Sequence, residues 1–365
     1  MTSSTGADRD AAINAFLAEA GWGGAERRSL GEDASTRRYE RVYQGSDVAV
    51  LMDAPPAAEG KPCGPEASAH ERILAGWNGR TRLAACRVDA FVGVGEHLRS
   101  LGLSAPEVIA FDVEQGFALL EDLGDTIYKT EIKNGASERE LYLAATAALA
   151  HVHNAAAPEI VSAAEWRWPI LDYDTLALTT GADLFPKWYP AYDAGVKFTG
   201  SLQLEFDGII RALSDHLASL PQVLMLRDYH AENLLWLPER DGLKKVGILD
   251  YQDAVRGPAA WDLAMFIQDA RRDVTPAVAR EVFRGYLALT GNEEESFKRD
   301  FDIAGAINAL RIIGVFARLV RRDNKPKYEA FLPREWGHLK SSLQNPALKD
   351  LKRILEIAAP QLKDA

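Results

Sequence analysis

Apolar positions in the first third of the chain follow two different periods. Between Asp8 and Ala20 they fall at Ile13, Phe16 and Leu17, the spacing of a short amphipathic helix. Arg38 to Tyr43 and Val48 to Asp53 are rich in β-formers and flank Gln44-Gly45-Ser46-Asp47, which predicts a hairpin. Ala54-Pro55-Pro56 ends the second strand, because proline has no amide to give a sheet interior. A polar segment with glycine and proline runs from Ala57 to about Val88, with one helix expected around Ala67 to Trp77. Another helix is expected near Asp89 to Leu101. Pro106 to Asp112 and Phe117 to Glu121 then read as two strands joined through Glu114-Gln115-Gly116.

After Leu123-Gly124 the period becomes helical. Ser137-Glu138-Arg139-Glu140 has capping-box spacing and opens a helix to about Asn154. Leu202 to Leu220, Pro276 to Leu289, Phe301 to Arg321 and Pro346 to Ala358 are four further helical patterns. The second and fourth carry proline in the first turn, where its missing amide costs nothing. The expected class is α+β. A small sheet-containing lobe over residues 1–121 meets a larger, mainly helical lobe over 122–365 at a hinge of Glu121 to Gly124.

Composition narrows the function. The 365 residues carry a net charge of −11, which argues against a nucleic-acid binder, whose footprint is a basic field. Cys63 and Cys86 are too few for a disulfide framework and read as free thiols of a cytoplasmic protein. Met1 to Asp10 lacks the pattern of a signal peptide. Ile303 to Val320 is interrupted by Asn308, Arg311 and Arg318, so it reads as a buried helix rather than a membrane span.

The chemistry concentrates between Val223 and Asp262. In Leu226-Arg227-Asp228-Tyr229-His230-Ala231-Glu232-Asn233 an aspartate precedes an asparagine by five positions, the spacing of kinase catalytic loops. One carboxylate there accepts the proton of an attacking hydroxyl, and an amide oxygen one loop-turn later holds magnesium. The apolar run Val246-Gly247-Ile248-Leu249 ends in Asp250, 17 positions after Asn233. A hairpin between the two brings Asn233 and Asp250 together as metal ligands, with Asp228 as general base. His230 and Asp262 read as braces of the loop. His151 and His153, two apart on a helix, point away from each other and do not chelate.

Five blocks in order resemble the aminoglycoside phosphotransferase-like branch of the protein-kinase fold, and within it the anomeric kinases of N-acetylmuramate and N-acetylglucosamine that serve cell-wall recycling. They are Ser35-Thr36-Arg37-Arg38-Tyr39, Met52-Asp53-Ala54-Pro55-Pro56, Gly116 to Gly124, Arg227-Asp228-Tyr229 and Leu249 to Ala254. The resemblance implies a two-lobed protein-kinase-like fold using ATP and Mg²⁺, with adenine against Glu121, Asp122 and Leu123. It implies a small sugar acceptor phosphorylated at its anomeric hydroxyl; beside it, the expectation is a monomer acting without nucleic acid or membrane.

Two departures matter. Leu226 stands where the family usually has a histidine. Val48-Ala49-Val50-Leu51-Met52 resembles a kinase strand, yet no lysine follows it. Arg37 or Arg38 is the expected substitute, since guanidinium grips phosphate oxygens in pairs. Ser35 and Thr36 are expected to face the phosphates as well. Two alternatives stay open: a kinase for an aminoglycoside or another small alcohol, and a nucleotide-binding scaffold without turnover. Trp166 to Phe198 holds eight aromatics in 33 residues, which reads either as a platform for a sugar face or as rings that pack helices together.

Overall fold

A computed structural model describes residues 6–31, 36–56, 58 and 60–360. Ser35 lies outside the described residues. The first strands form one antiparallel sheet in the order β1-β2-β3-β5-β4. They are β1 (Glu26–Ser29), β2 (Arg38–Gln44), β3 (Asp47–Asp53), β4 (Val108–Asp112) and β5 (Phe117–Glu121). Gln44 pairs with Asp47 across a two-residue loop, and Gly45 at φ 63° supplies the left-handed backbone such a turn needs.

The period-two alternation of β3 and β5 sorts their side chains between two cores. Leu51 and Leu119 face the helix Gly6–Glu19, where Ile13, Phe16 and Leu17 cover the sheet. Met52, Ala118 and Leu120 face the other way and merge with the core of the helical half. The packing therefore does not stop at residue 121. The helix Val88–Ser100 lies against the hairpin Ile160–Ala163 and Trp166–Pro169, and Ser104 bridges to Gly247.

Several elements differ from the sequence expectation for local reasons. The helix expected around Ala67 to Trp77 is two short helices, Ala69–Leu74 and Trp77–Thr81, split at Gly76 with φ 85°. The first is opened by a complete capping box of Ser68 and Glu71. At Ser137 only half of the box forms: its hydroxyl accepts the Glu140 amide at 3.3 Å. The helix expected from Phe301 starts at Glu294, because the Glu293 carboxylate caps the amides of Glu295 and Ser296 at 2.9 and 2.8 Å. That helix, Glu294–Arg321, has the length and apolarity to cross a membrane, but Ile303, Ile307, Leu310 and Ile313 are buried among other helices. Gly314 lets it pass against the helix Leu184–Tyr192; a Cβ there would overlap the Leu184 carbonyl.

Candidate active site

The loop holding Asp228 is fixed from beneath by one buried carboxylate. Asp262, in the first turn of the helix Ala259–Ile267, accepts the Leu226 amide at 2.6 Å and the Arg227 amide at 2.8 Å. His153 Nε2 lies 3.2 Å from the same carboxylate, and its Nδ1 lies 2.6 Å from the Tyr286 hydroxyl. Leu226 is buried in the main core, so the position departs from a polar role altogether. Arg227 sits at φ 71°, a left-handed conformation that a non-glycine residue adopts only when its surroundings insist. Those surroundings are the two Asp262 bonds, the Thr81 carbonyl 3.1 Å from Arg227 Nη1, and the Tyr173 ring 4.9 Å from its guanidinium carbon.

His230 is buried and acts as a brace. Its Nε2 lies 3.1 Å from Arg271 Nη1, and the Glu232 amide reaches its Nδ1 at 3.3 Å. Burial, reinforced by the Arg271 charge, pushes its pKa down to about 3, so the ring is neutral at pH 7. The Asp228 carboxylate is half-buried and has no hydrogen-bond partner among the described residues. Its backbone is held instead: Asn233 Nδ2 donates to the Asp228 carbonyl at 2.9 Å.

The expected hairpin is present. Leu234–Trp236 pairs antiparallel with Val246–Ile248, and the Leu249 amide donates to the Asn233 carbonyl at 2.9 Å. Asn233 Nδ2 consequently stands 3.5 Å from Asp250 Oδ2. Asp250 is a second left-handed residue, at φ 57°, with its carboxylate 40% exposed. Its Oδ1 accepts from Gln252 Nε2 at 3.0 Å and from Arg37 Nη2 at 3.1 Å. With Asn233 Nδ2 committed to Asp228, its Oδ1 is the oxygen left for a cation. One amide oxygen and one carboxylate suit a hard ion such as Mg²⁺, which keeps water and phosphate oxygens for its other positions. Among the described residues no trio of His, Cys, Asp or Glu offers a fuller cage.

Of the residues expected around the phosphates, Arg37 reaches across the cleft to Asp250, whereas Arg38 is exposed on β2. The Thr36 hydroxyl lies 3.3 Å from Cys86 Sγ. At the hinge, Glu121 accepts from Arg240 Nη2 at 2.5 Å and from the Glu107 amide at 3.1 Å. Asp122 accepts from Arg41 Nη2 at 3.1 Å and from the Gly124 amide at 2.9 Å. Both carboxylates are therefore spent on bracing. Leu123 joins Leu235 and Leu237, with Ile127 and Leu249 beside them, in a small apolar cluster separate from the main core.

Sequence reasoning missed Gln252 and Arg9, and left Asp253, within the Leu249 to Ala254 block, open between a site role and a capped turn. Gln252 is buried and ties Asp250 to Asp253, donating to Asp253 Oδ2 at 3.2 Å. Asp253 also accepts the Ala84 amide at 2.7 Å, and burial pushes its pKa up despite Arg227 and Arg37 nearby. Arg9 pairs with Asp53 at the end of β3, at 2.5 Å. The adjacency of Gln252 and Asp253 to Asp250 was the only available signal. The aromatic stretch turns out to be structural: Trp168, Tyr173, Phe185 and Tyr189 are buried, and Trp166, Trp188, Tyr192 and Phe198 pack against the same core.

The family model described as the phosphotransferase enzyme family matches residues 26–298. The N-acetylmuramate/N-acetylglucosamine kinase of Caulobacter vibrioides is 45% identical over 357 residues, covering 97% of both chains. The kinase of the same name from Pseudomonas aeruginosa is 31% identical, covering 93% of this chain and 91% of its own. Among solved structures, the ADP-bound aminoglycoside phosphotransferase APH(2'')-Ib superposes with a TM-score of 0.53 at 13% identity, over 93% of this chain and 99% of that one. The ternary complex of APH(2'')-IIa with streptomycin and ATP gives 0.53 at 13% identity, over 95% and 99%. The fold is the two-lobed, protein-kinase-like one, with its sheet at the N-terminal end and helices beyond.

Proposed function

This chain belongs to the phosphotransferase enzyme family, and from that premise we propose that it is a kinase moving the γ-phosphoryl group of ATP to the anomeric hydroxyl of N-acetylmuramate or N-acetylglucosamine. The observation that carries the reading is the assembly of Asp228, Asn233 and Asp250 on one loop and one hairpin, with Arg37 facing them. A scaffold without turnover has no need of a carboxylate without a partner among the described residues beside a metal-competent pair.

Asn233 and Asp250 would hold Mg²⁺, which neutralises charge on the transferring phosphates when bound. Asp228 accepts the proton of the attacking hydroxyl; its carboxylate is acceptor-only and open to the cleft. The Asn233 and Asp262 bonds fix where that carboxylate stands. Arg37 supplies the fixed positive charge that β3 lacks. Adenine lies against the hinge at Glu121 to Leu123, over the apolar cluster of Leu123, Leu235 and Leu237. Catalysis of this kind is positioning and electrostatics rather than covalent chemistry.

Of Asp172, Asp174 and Asp183, the aspartates that a polycationic aminoglycoside could meet, the first two are already paired. Asp172 takes Arg256 at 2.7 Å and Asp174 takes Arg72 at 2.9 Å. This favours a sugar acceptor, as in the relatives' names. The test is phosphorus NMR of the product from either sugar with ATP. The expected signal couples to the anomeric proton. Transfer to the 6-hydroxyl, or robust aminoglycoside phosphorylation with neither sugar used, overturns the reading.

Arg37→Ala is expected to lower kcat/KM for ATP by roughly 10- to 150-fold, the ~1.5–3 kcal/mol of a lost charge-assisted bond. Arg38→Ala, at an exposed strand position, should stay within about twofold, as surface substitutions do. Steady-state kinetics with ATP varied at saturating sugar decide between them. Unchanged kinetics in Arg37→Ala would remove it from the phosphate site.

A further inference from the structure

The segment 57–88 connects β3 to the helix Val88–Ser100, yet it spends its contacts on the opposite lobe. Arg72, buried, forms a two-pronged ion pair with Asp174, which itself caps the helix Thr175–Ala182. The Thr81 carbonyl accepts from Arg227, the neighbour of Asp228. The Ala84 amide donates to Asp253, three positions after Asp250. Arg82 lies between those two anchors, which tie its backbone to the neighbours of Asp228 and Asp250.

Arg82 is held unusually for a cation. It is 7% exposed, and its backbone is left-handed at φ 59°, with Ala85 left-handed as well at φ 56°. Its Nη1 donates to the Gly64 carbonyl at 3.1 Å, and its buried Nε has no hydrogen-bond partner among the described residues. Among the described residues no carboxylate forms an ion pair with it. Burial first, and then the like charge of Arg72, work against the Arg82 cation; the nearby Asp174 and Asp172 favour it but are ion-paired to Arg72 and Arg256. Arg227 is equally buried, but it divides its guanidinium between a carbonyl and the Tyr173 ring. A buried guanidinium without a counter-anion is costly unless an anion arrives to complete it.

The two acceptor sugars differ in one ionised group. N-acetylmuramate carries a lactyl ether with a carboxylate on its third carbon, and N-acetylglucosamine does not. We propose that Arg82 is the specificity residue of the acceptor site, receiving the lactyl carboxylate of N-acetylmuramate. The inference rests on the sugar-kinase reading above. Guanidinium and carboxylate match in planar, paired geometry, so the ammonium of lysine would replace it poorly.

The experiment measures kcat and KM for both sugars and for ATP in the full-length wild type and in Arg82→Met and Arg82→Lys, with thermal melts alongside. Expected is a fall in the muramate-to-glucosamine kcat/KM ratio of about tenfold or more in Arg82→Met, carried by the muramate KM. Arg82→Lys should recover only part of it. An equal loss on both sugars, a loss confined to the ATP KM, or an unchanged ratio overturns the assignment of Arg82. If Arg82→Met fails to fold, the ratio in Arg82→Lys decides by the same criterion. A wild type that phosphorylates neither sugar overturns the kinase reading itself, and the Arg82 assignment with it.

Discussion

Asp250→Ala is expected to reduce kcat by roughly a thousandfold or more, about 4 kcal/mol of transition-state stabilisation, while the protein still melts cooperatively. The loss follows from chemistry: Asp250 is the only carboxylate of the proposed metal pair, and an amide oxygen alone holds a divalent cation weakly. The fold survives because the side chain is 40% exposed and its three donors have other outlets, Asn233 keeping the Asp228 carbonyl. Gln252 keeps Asp253, and Arg37 can turn to solvent. The one structural cost is alanine at φ 57°, of order 1 kcal/mol, where aspartate is better tolerated. Asp250→Asn avoids that cost and is expected to lose nearly as much activity. Activity across a magnesium titration, set beside a thermal melt, checks both variants. Near-normal turnover at ordinary magnesium would show that the metal is held elsewhere.

The parts of this site that lie close along the chain were legible in the sequence. Asp228 to Asn233 is one loop, and an apolar strand ending in Asp250 after a turn can only return beside it. Their mutual placement is a local hairpin, so spacing alone located it. Arg37 illustrates what spacing leaves open. It meets Asp250 across 213 positions, and its exposed neighbour Arg38 has the same chemistry. Only the strand phase of β2 decides which of the two turns inward. The 57–88 segment was opaque for a related reason. Its composition reads as a polar excursion, whereas its anchors on Asp174, Arg227 and Asp253 all come from distant parts of the chain. The aromatic stretch stayed open between two readings because composition counts rings without saying which way they face. Trp168, Tyr173, Phe185 and Tyr189 were recruited to bind helices together, and a sugar platform needs faces left open.

Replacing Asp228 separates the roles of loop and carboxylate. Asp228→Asn is expected to lower kcat by roughly a hundred- to ten-thousandfold, the usual contribution of a positioned general base, with a much smaller change in nucleotide affinity. The loop should keep its shape, since every bond that holds residue 228 runs through the backbone: its carbonyl to Asn233 Nδ2, and the two preceding amides to Asp262. The asparagine side chain is nearly the same size and inherits a position where the carboxylate had no partner to lose. What disappears is the capacity to accept a proton from the hydroxyl as it attacks. Rapid-quench kinetics on one sugar, with nucleotide binding followed by fluorescence, read the two quantities separately. A variant that binds ATP normally and transfers phosphate at the wild-type rate would place the base elsewhere. It would leave Asp228 as a loop residue that happens to stand open to the cleft.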